Sequence, residues 1–261
     1  MHKLRSIYKF LLVLNIIILF SIAVHANSFQ LIFYFNDLNE KSTIHTSEFN
    51  DSIYTNIGDS LHNIIFTNNS FSDEFNSKYI SKFLILNTKF LQNNISPKFL
   101  DNCNLMIASN LKTINDTAAL KTTRKRIISL DDTTKIGFMG LVKPDFPLLY
   151  PKISTNISIR LDIFDLTREI VDQFIKENVD IIILINFMDE YLNFQLLKRF
   201  PEIDYIFDTN LEGKNDYSRI ESLKNKLHYI NTEKQDLRIY RINYSREKDS
   251  KIELIKIIDY Q

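Results

Sequence analysis

Five clusters of side-chain oxygens stand just beyond short apolar runs. They are Asn36-Asp37-Leu38-Asn39 after "LIFYF", Gly58-Asp59 after "YTNI", Asn87-Thr88-Lys89 after "FLIL", Asn186 after "IIILI", and Thr209-Asn210-Leu211-Glu212 after "DYIFD". Carboxylate and carboxamide oxygens suit hard cations such as Ca²⁺ or Mg²⁺. Polar residues at the C-terminal ends of parallel strands also line the crevice in which open α/β sheets hold ligands. The same residue types form turns and caps at strand ends with no ligand at all. Imidazole chemistry has little to draw on: outside the N-terminal segment only His45, His62 and His228 remain, scattered, and each reads as a surface or packing histidine.

Those clusters need strands to bring them together, and the order of elements supplies them. "FQLIFYF" at 29–35 and "LMIAS" at 105–109 read as buried strands, and "RIISL" at 126–130 with "KIGFMGL" at 135–141 as a hairpin or adjacent pair. "DLTREIVDQFIKENV" at 165–179 predicts a helix with Leu166, Ile170, Val171, Phe174 and Ile175 on one face. It runs into a strand at 180–185, then a second helix at 189–203 and a strand at 204–208. Helix and strand in alternation with short connections mark parallel strands buried by crossover helices. The tail, at 226–232, 237–245 and 251–258, reads as successive antiparallel edge strands.

Composition narrows the function classes. The 261 residues carry 32 basic and 32 acidic side chains, so no net field favours a nucleic-acid partner, and "TTRKR" at 122–126 reads as a solvated loop or strand edge. With four glycines, the chain has neither GxGxxG nor GxxxxGK[ST], and it has no GxSxG elbow. Cys103 is the one cysteine, which excludes an internal disulfide and a Cys-based zinc site.

Residues 2–9 are basic, 10–24 apolar, and "VHA" at 24–26 presents small residues where a signal peptidase reads. The expectation is a signal peptide over 1–26, a single mature domain over 27–261, and export to the periplasm or medium. An uncleaved N-terminal membrane anchor is the alternative.

With these elements in order, the chain resembles the metallophosphoesterase domain of the 5′-nucleotidase family of calcineurin-like enzymes. In that family successive strands end in N-D-x-H, G-D, G-N-H-E, L-S-H-x-G and G-H-x-H. Here the matching phrases are "NDLN" at 36–39, "GD" at 58–59, "LNTK" at 86–89, "LINFM" at 184–188 and "TNLE" at 209–212. "NLMIASNL" at 104–111 and "KIGFMGLVKP" at 135–144 are similar to the family's supporting strands. The resemblance implies an αββα sandwich of two mixed sheets flanked by helices. It also implies a bimetallic site, in which two divalent ions about 3.5–4 Å apart activate water and polarise a phosphoryl oxygen.

Carried over residue by residue, the resemblance leaves Asp37, Asp59 and Asn87 as metal-ligand positions. Asn39, Asn186, Asn210 and Glu212 stand where imidazole ligands belong, and Thr88 stands where the catalytic histidine belongs. A neutral amide is a far weaker ligand than imidazole for a transition metal, and without the Thr88-position imidazole no proton donor faces the leaving group. The implied protein is a catalytically degenerate phosphoesterase-fold module that binds or scaffolds and carries no cofactor. A divalent cation (Mg, Ca or Mn) on the remaining oxygens, with residual hydrolase activity, is one alternative; an unrelated secreted α/β binding protein is the other. The base-gripping C-terminal domain of the nucleotidases has no counterpart in these 261 residues, and the binding partner is unknown.

Overall fold

The computed structural model describes residues 27–34, 62–67, 80–84, 106–113, 122–130, 134–145, 157–210, 226–230, 236–244 and 251–259. In chain order the strands are β1 (Asn27–Tyr34), β2 (His62–Thr67), β3 (Ile80–Leu84), β4 (Met106–Ile107), β5 (Leu111–Thr113), β6 (Thr122–Thr123), β7 (Arg126–Ser129), β8 (Lys135–Met139), β9 (Ile157–Ile159), β10 (Ile181–Asn186), β11 (Tyr205–Asp208), β12 (Leu227–Tyr229), β13 (Asp236–Tyr244) and β14 (Lys251–Asp259). Two described helices, α1 (Ile163–Lys176) and α2 (Glu190–Arg199), flank β10 in sequence.

The strands form two mixed sheets and a small ribbon. The larger sheet runs β14-β13-β1-β2-β3-β4-β6, the smaller β12-β11-β10-β8-β7, and β5 pairs with β9. In the larger sheet β1, β2, β3, β4 and β6 pair in parallel, while β13 and β14 add an antiparallel edge. The hairpin expected from 126–141 is β7 against β8.

The period-two alternation of β10 explains the layering. Ile181, Ile183 and Ile185 join Phe29, Leu31, Ile64, Ile107 and Phe207 in a core between the two sheets. Ile182 and Leu184 face the other way, into a second core with Leu166, Ile170, Val171 and Phe174 of α1 and Leu196 and Leu197 of α2. Covered on both faces, β10 is buried at every position, which is why it is an unbroken apolar run. The fold is thus the expected α/β class, layered among the described residues as sheet, sheet, helix.

Two expectations need correction. Ile175, assigned to the apolar face of α1, is 51% exposed, because it lies about 100° round the helix from Phe174, which fills the core. The tail strands are not one antiparallel set: β12 joins the smaller sheet parallel to β11, and only β13 and β14 lie antiparallel at the edge of the larger one. A three-residue strand has too short an alternation to reveal its partner or direction.

Local signals mark the helix ends, which fall at Ile163–Lys176 and Glu190–Arg199 where the sequence reading has 165–179 and 189–203. Asp189 accepts the N–H of Leu192 at 2.8 Å to cap α2, and Lys198 and Arg199 sit in its last turn. Beyond α1, Asn178 takes a left-handed φ of 55°, which asparagine tolerates better than most residues, while the N–H of Val179 returns to the carbonyl of Phe174.

Candidate functional site at the strand ends

The C-terminal ends of β4, β8, β10 and β11 converge, so the residues that follow them meet. Gly140 lies where the two sheets touch: its carbonyl accepts from Ser109 N–H at 2.6 Å, and its own N–H donates to Ser109 Oγ at 3.2 Å. Asn110, fully buried, bonds the backbone of Val142. Phe187 N–H donates to Leu141 O and Lys143 N–H donates to Phe187 O, so the tails of β8 and β10 stay paired beyond the strands.

On the helix-facing side of this junction runs a chain of polar side chains. Leu141 N–H donates to Asn186 Oδ1 at 3.0 Å, and Asn186 Nδ2 donates to Oδ1 of Asn193 on α2 at 3.0 Å. Asn193 Nδ2 donates to Oδ2 of Asp208. Asp208 Oδ1 takes the backbone N–H groups of Met188 at 3.3 Å and Asn210 at 2.9 Å, and Asn210 Nδ2 donates to Met188 O at 2.8 Å. Thr209 holds Asn186 O through both its N–H and its hydroxyl. Asn186, Asn193, Asp208, Thr209 and Asn210 are all buried. Beside them lies a cavity of about 10 Å³, lined by Ile107, Leu141, Val142, Ile185, Asn186, Phe187 and Thr209; that is room for about one water.

Of the eight candidate positions read from sequence, the structure therefore brings Asn186 and Asn210 together, through Asp208 and Met188. Asp37, Asn39, Asp59, Asn87, Thr88 and Glu212 lie outside the described residues. The sequence reading set Asp59 at the end of a strand, "YTNI". "YTNI" lies outside the described residues; the strand described parallel to β1 is "HNIIFT", β2, which begins at His62, with Asp59 before it in chain order and Asn68 and Asn69 after it. Its consecutive Ile64, Ile65 and Phe66 are the stronger strand formers.

Sequence reading missed Asn110, Asn193 and Asp208. Asp208 had a signal, as the acidic last letter of an apolar strand; Asn193 had one too, three residues before Leu196 on the buried stripe of α2. His228, read as a surface or packing residue, packs: its ring lies 5.1 Å from that of Phe207, stacked, and 5.8 Å from that of Tyr240, edge-on.

Away from the crevice, charge organises the outer surface of α1. Arg160 grips Asp162 and Glu169, and Arg124 reaches Glu169 at 3.0 Å. Hydrogen bonds from Arg160 hold both carboxyls below their usual range, with Arg124 adding to the effect on Glu169. At the opposite end of β10, burial pushes the Asp204 carboxyl up, although its Oδ2 accepts from Ile182 N–H at 2.8 Å.

No family model matches the chain and no curated protein matches it. Solved structures do. A putative 5′-nucleotidase from Staphylococcus aureus, in complex with alpha-ketoglutarate, aligns over 89% of this chain and 54% of its own at 12% identity, with a TM-score of 0.60. The calcineurin-like phosphoesterase YfkN from Bacillus subtilis aligns over 87% of this chain and 90% of its own at 13% identity, with a TM-score of 0.53. The fold is that of the calcineurin-like metallophosphoesterases. The sulfate thiohydrolase SoxB from Thermus thermophilus shares it, aligning over 80% of this chain and 42% of its own at 12% identity, with a TM-score of 0.58. The chain spans about half the length of the nucleotidase and less of the thiohydrolase. One fold thus carries proteins named for different chemistries, and activity has to be argued from the site.

The bimetallic centre implied by this fold can be tested at the two described positions. Asn186 and Asn210 present amides, and both amides are buried and bonded inside the protein. Among the described residues no three His, Cys, Asp or Glu side chains gather. These positions do not fit a transition-metal ion, whose ligands here would have to be imidazoles or carboxylates aimed at a common point.

Proposed function

We propose that this is an exported protein of metallophosphoesterase fold that does not run the fold's hydrolytic reaction and serves as a binding or structural module. The observation that carries the reading is the engagement of Asn186 and Asn210. At two positions where the resemblance puts metal-binding imidazoles, the side chains bond Leu141, Asn193 and Met188 of the same chain. The strand parallel to β1 among the described residues, β2, is followed in sequence by Asn68 and Asn69, which carry neither a carboxylate nor an imidazole. Export rests on the basic, apolar and small-residue segments of residues 2–26.

The test is turnover by the purified protein against nucleotides and an aryl phosphate with Mn²⁺, Zn²⁺, Co²⁺, Mg²⁺ or Ca²⁺ supplied in turn. The module reading expects none. Release of phosphate that chelation and Asp37→Ala both abolish would overturn it and establish the residual hydrolase, which the retained Asp37 carboxylate favours. A rise in melting temperature with a nucleotide or Ca²⁺, without turnover, would identify what is bound. Mass spectrometry of the exported product checks the leader, with a mature chain starting at Asn27 as the expected result.

A further inference from the structure

The buried amides between β8 and β11 form a chain with one direction. Leu141 contributes a backbone N–H, which only an oxygen can face, so Asn186 must point Oδ1 toward β8 and Nδ2 toward α2. Asn193 must then meet that nitrogen with its oxygen, which leaves its own nitrogen aimed at β11. There the chain meets a carboxylate, a group that accepts and does not donate. Asp208 takes Asn193 on Oδ2 and two backbone N–H groups, from Met188 and Asn210, on Oδ1.

We propose that Asp208 is a positioning residue: its carboxylate fixes the orientation of the amides at 193 and 186 and so clasps the ends of β8, β10, β11 and α2 into a closed crevice. Because Asn186, Asn193 and Asp208 are all buried, bulk water does not replace a bond lost from the chain. The inference rests on the hydrogen bonds and not on the functional reading. Phosphatase activity would sink that reading and leave the clasp standing.

The test uses isosteric exchanges, which leave packing volume nearly unchanged. Asp208→Asn keeps an oxygen for Met188 and Asn210 but turns an amide nitrogen onto that of Asn193, donor against donor. Flipping Asn193 moves the conflict to Asn186, and flipping Asn186 moves it to the N–H of Leu141. Adding Asn193→Asp places acceptor oxygens between the amide nitrogen of Asn186 and the new one at position 208, which restores the sequence of donors and acceptors. Thermal unfolding of the full chain should show each single variant losing about 5 °C or more. The double variant N193D/D208N should regain at least half of the loss caused by D208N. If D208N yields no folded protein, recovery of folded protein in the double variant is the same result. A double variant as unstable as the two losses combined, or single variants that lose nothing, would overturn the proposal. Rescue cannot come from packing alone, because the number of heavy atoms changes at neither site.

Discussion

Asn110 and Val142 exchange two hydrogen bonds: the Asn110 amide donates to Val142 O at 2.8 Å, and Val142 N–H donates to Asn110 Oδ1 at 2.9 Å. Asn110 follows β4 of the larger sheet and Val142 follows β8 of the smaller, so one side chain acts as a rung between the two sheets where their strand ends meet.

Asn110→Ala removes both bonds and leaves two buried backbone groups without that partner, a loss of about 2–4 kcal/mol. Urea unfolding measures it. Asn110→Asp keeps the acceptor for Val142 N–H but sets a carboxylate oxygen against Val142 O, so it should lose at least as much as Asn110→Ala.

A methyl group at Gly140 would lie 2.7 Å from the carbonyl oxygen of Ile185 and closer still to that of Ile107. Both obstacles are backbone, one in each sheet, and neither can turn aside. At Gly137 the obstacle is the ring of Phe174, at 2.8 Å, a side chain with some freedom to shift. Gly137→Ala should therefore cost about 1–3 kcal/mol, the usual cost of overpacking. Gly140→Ala should cost more, and soluble yield with circular dichroism will rank the two variants.

Gln30 is fully buried on the face of β1 turned away from the smaller sheet, and neither polar atom of its side chain has a hydrogen-bond partner among the described residues. Opposite it on β13 is Arg241, whose Nε is likewise buried and unbonded among them. Replacing an unsatisfied buried amide by an isosteric apolar group removes a desolvation cost, so Gln30→Leu is expected to stabilise the protein by about 1–2 kcal/mol. Loss of stability on this exchange would mean that the amide has a partner in solution.

Asp162 and Glu169 have folded-state pKa values below their unfolded ones, chiefly through Arg160. Lowered carboxyl pKa values add stability that is present above the unfolded values, about 3.9 and 4.3, and is lost as pH falls through the folded ones. The midpoint of urea unfolding should thus be level near neutrality and decline in acid. Arg160→Met should flatten the part of that decline due to these two groups. High salt should do the same, because both pairs are solvent-exposed and screened.

The architecture was legible where a pattern extends over many residues. The strand at 181–186, both helices and the β7-β8 pair follow from unbroken apolar runs or helical spacing, and those periods survive in the structure because both sides of β10 are covered. Other pieces are less legible. β2 has six residues, but its apolar run is only Ile64, Ile65 and Phe66; β12 joins the smaller sheet in parallel where an antiparallel edge is expected; and β5, β6 and β9, of two or three residues each, carry no readable period.

The site divides the same way. Asn186 and Asn210 were found because strand ends point to them. Asn193 comes from a helix and joins them only through packing, a relation that one-dimensional spacing does not record. Asp208 was read as the end of a strand, yet its place at the end of β11 makes it the acceptor that completes the amide chain.

The pairing of β1 with β13 also bears on the order in which the molecule assembles. Asn27 lies opposite Tyr244, so β1 waits for a strand far along the chain before that pair can form. The smaller sheet and its two helices draw on a contiguous stretch from Arg126 to Tyr229 and close over much shorter loops. Loop closure and contact order favour the local unit. The smaller sheet and its helices should therefore gain protection from hydrogen exchange first during refolding, with β1 and β13 joining late.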